Sequence, residues 1–186
     1  MDDEQIKISG ILETNFYTVI QKDDQASFLV EKGYGIIEKD KIYLDPTETL
    51  YLVYKDILKV MSKEDFIYTF DKLLEFFSNR DPLIWVKLNL YSNLRKRGFI
   101  VKKGIGGEIS FFVEKKHRDH IKRFLVVGVS EGARIGFVEL EGLFRRSLES
   151  GRDLILAIID KEGNITYYMV NKLSLVEEYG EKVSDI

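Results

Sequence analysis

The sequence predicts an α/β chain of the α+β kind, with a small N-terminal domain of sheet plus helices over residues 1–79 and a second, mixed-sheet domain over residues 80–186. Three observations carry this. From Ile6 to Leu44, short apolar runs rich in β-branched and aromatic residues alternate with turn residues. Apolar residues then recur at helical spacing through two stretches that end near Phe77. Beyond Pro82 the order becomes helix, hairpin, strand, helix, hairpin, which suits a single sheet with helices against it. At 186 residues, 45% apolar and 32% charged, the chain can form one domain or two small ones, each close to the lower limit for an independent core.

Taken in order, IKISGIL, FYTVIQ, SFLVEKGYGII and KIYL read as strands of a small antiparallel sheet. DPTETLYLVYKDILKV reads as a helix, with Asp45 as N-cap and Pro46 at the first helical position, where a missing N–H costs nothing. In SKED, Ser62 and Asp65 are spaced like a capping box opening a second helix that runs to Phe77. SNRDP, residues 78–82, is the expected domain boundary. Asp81–Pro82 opens a third helix, IWVKLNLYSNLRKR, and Gly98 stops it. FIVKK, EISFFVE and FLVVGVS read as strands, FVELEGLFRRSLES as a helix ending near Gly151, and LILAIID and NITYYMV as a strand pair joined by the turn KEG. LSLV is a further short apolar segment.

Composition excludes several classes. No apolar run approaches the length of a membrane span, and the acidic start MDDEQ lacks the layout of a signal peptide, so a cytoplasmic protein with no membrane partner is expected. Without cysteine there is no disulfide and no thiolate ligand or nucleophile. The two histidines, His117 and His120, lie in KHRDHIKR, residues 116–123, with Asp119 the acidic residue between them. They read as solvated loop residues, and neither a metal nor a cofactor is expected. GIGG, residues 104–107, joins two strands where a phosphate loop would lead a strand into a helix, so it reads as a hairpin turn.

The net charge of −3 conceals an asymmetry. Residues 1–79 carry 16 acidic and 9 basic side chains, whereas residues 87–123 carry 11 basic against three acidic. Such a band fits either a phosphate backbone or acidic partner surface, or the solvated face of a helix and its neighbouring strands.

LRKRGFIVKKG, a two-stranded unit ending FFV, then FLVV and LILAIIDKEGNITYY resemble the C-terminal domain of archaeal tRNA-splicing endonucleases, over roughly residues 85–176. The first half is similar, less specifically, to that family's N-terminal domain through LYLVYKDILKV. The resemblance implies a restriction-endonuclease-like C-terminal fold and metal-free cleavage of pre-tRNA by attack of a 2′-hydroxyl on the adjacent phosphate. In the family a tyrosine acts as base, a histidine as acid, and a lysine steadies the phosphorane. Here the tyrosine position falls on Glu114, or with a gap on Phe112; the histidine position falls on Ile121 and the lysine position on Arg152.

With all three replaced, the resemblance implies the structural, non-catalytic subunit of a heterotetramer. The isolated chain would be no enzyme, and its partners would be a catalytic paralogue in an (αβ)2 assembly and the bulge-helix-bulge of pre-tRNA, with a homodimer as the form open to the chain alone. Asp160, Lys161, Glu162 and Gly163 match the acidic loop that docks two dimers, although DKEG also reads as a plain hairpin turn. Leu173, Leu175 and Val176 match the dimer strand. Arg145 holds one half of the family's base clamp while Lys172 stands where its tryptophan belongs; Lys102, Lys103, Lys115, Lys116 and Arg118 are further RNA-binding candidates. Two other readings stay open: a catalytic subunit with an atypical site built on His117 or His120 and a tyrosine such as Tyr91, or a stand-alone nucleic-acid-binding module.

Overall fold

The structure, a computed structural model, describes residues 8–105, 108–117 and 120–171. The first half contains β1 (Ile8–Leu12), β2 (Thr18–Gln21), α1 (Asp24–Glu31), β3 (Ile36–Glu38), β4 (Lys41–Leu44), α2 (Pro46–Tyr54), β5 (Leu58–Met61), β6 (Ile67–Tyr68) and α3 (Phe70–Ser78). Its sheet runs β3-β4-β2-β1-β5-β6 and is antiparallel except where β1 lies parallel to β5, so the expectation of a purely antiparallel sheet is corrected.

Three other local expectations are corrected. The start of SFLVEKGYGII belongs to α1, because the Asp23 carboxylate accepts from the Ala26 N–H and caps a helix there; only Ile36–Glu38 is strand. The capping box at Asp45 and Glu48 starts α2 as expected, but the helix stops at Tyr54. Asp56 then takes a left-handed backbone with φ of 59°, and ILKV continues as β5. Ser62 does not cap a helix: its hydroxyl accepts from the Glu64 and Phe66 amides in a turn, and α3 begins only after Thr69.

The second half contains α4 (Ile84–Lys96), β7 (Ile100–Lys103), β8 (Ser110–His117), β9 (His120–Ser130), α5 (Phe137–Glu149), β10 (Asp153–Ile159) and β11 (Ile165–Val170). The sheet order is β11-β10-β9-β8-β7, with β9 and β10 parallel and the other pairs antiparallel. KHRDHIKR is therefore no loop at its ends: His117 and His120 are paired at the hairpin end of the β8–β9 ladder. Helix α4 covers one face of this sheet. Gly128 permits the close approach, since a Cβ there would lie 2.6 Å from Ile109 and 3.2 Å from Leu90. Helix α5 covers the other face through Leu143, packed with Leu125, Val127 and Leu154.

One hydrophobic core joins the two halves, running from Leu29, Ile42 and Leu50 through Phe77 to Leu90, Tyr91, Phe111 and Val126. Beside it lies an ionic contact. Glu48, 2% exposed, accepts through one oxygen from the Gly35 N–H and from Lys102 Nζ on β7, each at 3.0 Å, and through the other from the Asp45 N–H at 3.3 Å. Lys102 also donates to the Gly35 carbonyl at 2.6 Å. Arg95 on α4 donates to the Lys32 carbonyl, its guanidinium 3.8 Å from the centre of the Tyr34 ring. Burial, and next the nearby Asp45 charge, push the Glu48 carboxyl up to about 7, against the pull of Lys102.

Folding thus raises the proton affinity of Glu48 above its ordinary 4.5, so its contribution to stability is complete below that pH and is lost as pH rises through about 7. Wild-type Tm should fall between pH 5 and pH 8 by roughly 4–8 °C from this group, corresponding to on the order of 2 kcal/mol. Calorimetry of Glu48→Gln should show that fall flattened. Glu48→Ala, which strands Lys102 and the Gly35 N–H and lacks the titrating group, should cost about 3 kcal/mol at pH 5 and about 1 kcal/mol at pH 8.

Candidate functional site

The site arises from the ladder register of three strands. In the β8–β9 pair Phe112 stands opposite Leu125, Glu114 opposite Arg123, and Lys116 opposite Ile121, which places all six on the face that α5 covers. β10 runs parallel to β9 with Leu154 beside Leu125. Arg152, one residue ahead of β10, therefore falls next to Arg123 in the row. Helix α5 ends at Glu149 and Gly151 turns the chain with φ of 64°, so the helix stops short of covering this end of the face.

Glu114 is the common partner. One of its oxygens accepts from Arg152 Nη2 at 3.1 Å and lies 3.4 Å from Arg123 Nε. The other accepts no hydrogen bond among the described residues. Arg152 is the more buried of the two arginines: its Nη1 donates to the Ser150 carbonyl at 2.8 Å, its guanidinium lies 4.3 Å from the centre of the Phe112 ring, and its Nε is buried without a partner among the described residues. Arg123 and Arg152 line an open cleft of about 450 Å³ together with Ile121, Lys122, Leu148 and Met169. Two guanidinium groups held in place by one carboxylate suit a phosphate: each guanidinium offers several N–H donors in a fixed plane.

Of the residues singled out in the sequence, Glu114 and Arg152 come into direct contact, and Ile121 lies on the same face, half exposed. His120 lies on the opposite face, as a one-residue slip along a strand requires. Tyr91 packs against Phe111 and Tyr51 with its hydroxyl buried in the core, away from either histidine's strand end. The arginine at 123 was missed as a site residue. Its signal was the hairpin register, which sets it opposite Glu114, whereas counting back from FLVV leads to Ile121.

The basic band is not one surface. Lys102 is committed to Glu48 and Gly35. Lys115 donates to the Arg97 carbonyl at 2.6 Å on the α4 side of the sheet. Lys103 lines a separate cleft with Asp45, Arg80 and Glu108. Lys116 is exposed, Arg145 on α5 pairs with Glu141, and Arg118 lies outside the described residues. Among the described residues there is no group of three or more His, Asp or Glu side chains placed to hold a metal ion, and no helix long and apolar enough to cross a membrane.

The loop Asp160–Gly163 joins β10 to β11. The Asp160 carboxylate accepts from the backbone and side-chain amides of Asn164, each at 2.8 Å, and these bonds hold it below the usual carboxylate range. Asn89 on α4 donates to the Gly163 carbonyl at 2.8 Å, which pins the loop to the body of the sheet. β11 is an edge strand with Tyr168 and Met169 exposed. Leu173, Leu175, Val176 and Lys172 lie outside the described residues.

Comparison with known proteins matches both halves. Residues 84–167 match the family model of the tRNA intron endonuclease catalytic C-terminal domain, and residues 8–74 match that of the tRNA intron endonuclease N-terminal domain. The tRNA-splicing endonuclease of Methanococcus vannielii is 31% identical over 160 residues, covering 84% of this chain and 90% of its own. That of Pyrococcus horikoshii is 30% identical over 139 residues, covering 75% and 81%. These matches overturn the expectation that the isolated chain is no enzyme: the matching domain is the catalytic one and the relatives are named as an enzyme. The expectation had equated the loss of a tyrosine, a histidine and a lysine with the loss of chemistry, yet the same face carries a carboxylate and two guanidinium groups.

The pinned loop yields a prediction. Gly163 has φ of 84°, and a Cβ there would lie 3.0 Å from Asn89 Nδ2. Gly163→Ala should therefore strain both the backbone and the Asn89 bond, costing about 1–2 kcal/mol, or roughly 2–8 °C in Tm by calorimetry.

Proposed function

The chain belongs to the tRNA intron endonuclease family, and on that premise we propose that it acts on intron-bearing tRNA precursors, at bulge-helix-bulge sites, as one subunit of an assembly completed by a paralogous subunit. The observation that carries the reading is the match of family models to both halves of the chain, residues 8–74 and 84–167. It implies the whole two-domain layout, not a borrowed fold.

Physical features support each part. An RNA backbone phosphate suits the cleft between Arg123 and Arg152. The partner subunit is supported by two surfaces. The β10–β11 loop presents Asp160 and Glu162 on a frame held by Asn89, a preorganised acidic tip for a basic pocket. Among the described residues no strand pairs with the outer edge of β11, beside exposed Tyr168 and Met169, and a strand of a second subunit would complete it. The proposed stoichiometry is two copies of each subunit.

Co-expression with the paralogue, light scattering and cleavage of an intron-bearing pre-tRNA test this together. A four-chain particle should form, cut at both intron borders, leave intronless tRNA intact, and turn over roughly tenfold or more faster than this chain alone. Equal rates with and without the paralogue would remove the need for a partner. Failure to cut in any combination would overturn the proposed activity.

A further inference from the structure

We propose that the β8–β9 hairpin, past the point where its neighbouring strands begin, is a two-faced ribbon that seats in the minor groove of double-helical RNA and grips the phosphates of both RNA strands at once. This role rests on the proposed action on tRNA precursors and names the surface that meets the RNA.

The ladder register isolates the ribbon. β7 begins at Ile100, opposite Glu114, and β10 begins at Asp153, beside Phe124. Residues 115–117 of β8 and 120–122 of β9 therefore pair with one another and with no third strand among the described residues. They carry the ladder roughly 10 Å past Glu114 and Arg123. Cations stand on both faces. Arg123 and Lys116, the latter with half-exposed Ile121 opposite it, share the face turned to α5. Lys115 and Lys122, opposite each other, share the face turned to α4. All four cations are exposed. Lys115 donates to the Arg97 carbonyl at 2.6 Å, which fixes its stem and leaves its ammonium two further N–H donors.

The edge of the ribbon beside β10 is open as well. The Gly128 N–H on β9 donates to the Ile109 carbonyl on the β8 side, whereas the Glu131 N–H, three residues on, donates to the Ile159 carbonyl at the end of β10. Successive residues of a strand turn their N–H and C=O to opposite sides, so those of Ile121 point to the β10 side, at a level where β10 has not begun. The cleft of about 450 Å³ lies along this edge, since its lining takes Ile121 and Arg123 from one face of β9 and Lys122 and Phe124 from the other. Asp153 is the one carboxylate in that lining, against Lys122, Arg123 and Arg152.

A ribbon with cations on both faces and an open polar edge between them fits a groove walled by two rows of phosphate. A flat acidic protein surface would meet one face and leave the other in water. The minor groove of A-form RNA is wide and shallow and displays 2′-hydroxyl groups, each both donor and acceptor, whereas the major groove is too deep and narrow for side chains to read. With the open edge turned into the minor groove, the N–H and C=O of Ile121 face 2′-hydroxyls, and the cations of each face lie toward the phosphates of one RNA strand.

The test uses the full-length chain, alone and in its reconstituted assembly, with intron-bearing pre-tRNA and with plain RNA and DNA hairpins of one sequence as probes. The RNA hairpin should bind about threefold or more tighter than the DNA hairpin. Lys116→Ala and Lys122→Ala, one on each face, should each weaken RNA-hairpin binding about threefold to tenfold at about 0.1 M salt. Each should also lower the slope of log affinity against log salt by about 1, and the double variant by about 2. Lys116→Arg and Lys122→Arg, which keep the charge, should bind as wild type does, and all these variants should keep the wild-type Tm. Pre-tRNA cleavage by wild type with the double variant binding and cutting equally well would overturn the ribbon and leave the proposed activity standing. So would a silent substitution on either face, since that marks a one-sided contact. Loss of assembly with the paralogue in the double variant, with RNA-hairpin binding unchanged, would overturn it in favour of a protein surface. Two-sided loss of RNA-hairpin binding without cleavage by wild type in any combination would overturn the proposed activity alone. Neither binding nor cleavage by wild type would overturn both.

Discussion

A buried carboxylate meets a lysine where the two halves of the chain touch, and much of the remaining architecture depends on that meeting. Glu48 closes the cap of α2, receives the Gly35 amide from the turn before β3, and binds Lys102 from the first strand of the other sheet. Three separate backbone segments therefore converge on one side chain. A charge taken out of water is tolerable only where its lone pairs are filled and a counter-charge is close, and both conditions hold here only when the two sheets are docked. The apolar core supplies most of the adhesion between the halves, but it is non-directional; the ion pair is what sets how they meet.

The same strand carries that constraint to the cleft. Lys102 on β7 stands directly opposite Phe112 on β8, and the Phe112 ring supports the guanidinium of Arg152. Two residues along β8, Glu114 fixes both arginines. The junction and the cleft are thus two stations on one antiparallel ladder, and a slip of β7 against β8 would disturb both. The Lys102 ammonium is thus part of the docking of the sheets, whereas Arg123 and Arg152, farther along β9 and at the start of β10, line the cleft.

How much of this was legible in the sequence follows from how local each determinant is. The second half reads well because strand and helix periods are long there and Gly98 and Gly151 mark the ends. The first half reads less well because its elements are short. SFLV suits a helix or a strand equally by pattern, and only the Asp23 cap decides for the helix. The positions of Glu114 and Arg152 could be counted from flanking motifs, and they do meet. Arg123 could not be reached that way, because its role depends on the register across the β8–β9 hairpin. The contact between Glu48 and Lys102 spans 54 residues and two sheets, so no local pattern reveals it.

Glu114 and Arg152, the residues counted onto the positions expected for the family's tyrosine and lysine, have a physical consequence of their own. A residue type is one solution to a physical requirement, and the requirements here are an acceptor for a half-buried guanidinium and a counter-charge for a carboxylate. A guanidinium meets a carboxylate with two donors in a fixed plane, where an ammonium offers a point charge. The exchange is not neutral in geometry, however. A glutamate in this position must also hold the arginines that surround it, whereas a tyrosine makes no such demand. Glu114 and the two arginines are therefore a single hydrogen-bonded unit in this chain, and evolution of one constrains the others: an arginine at 152 without an acid at 114 would leave a half-buried guanidinium short of a partner, and an acid at 114 without the arginines would leave a half-buried carboxylate short of its counter-charges.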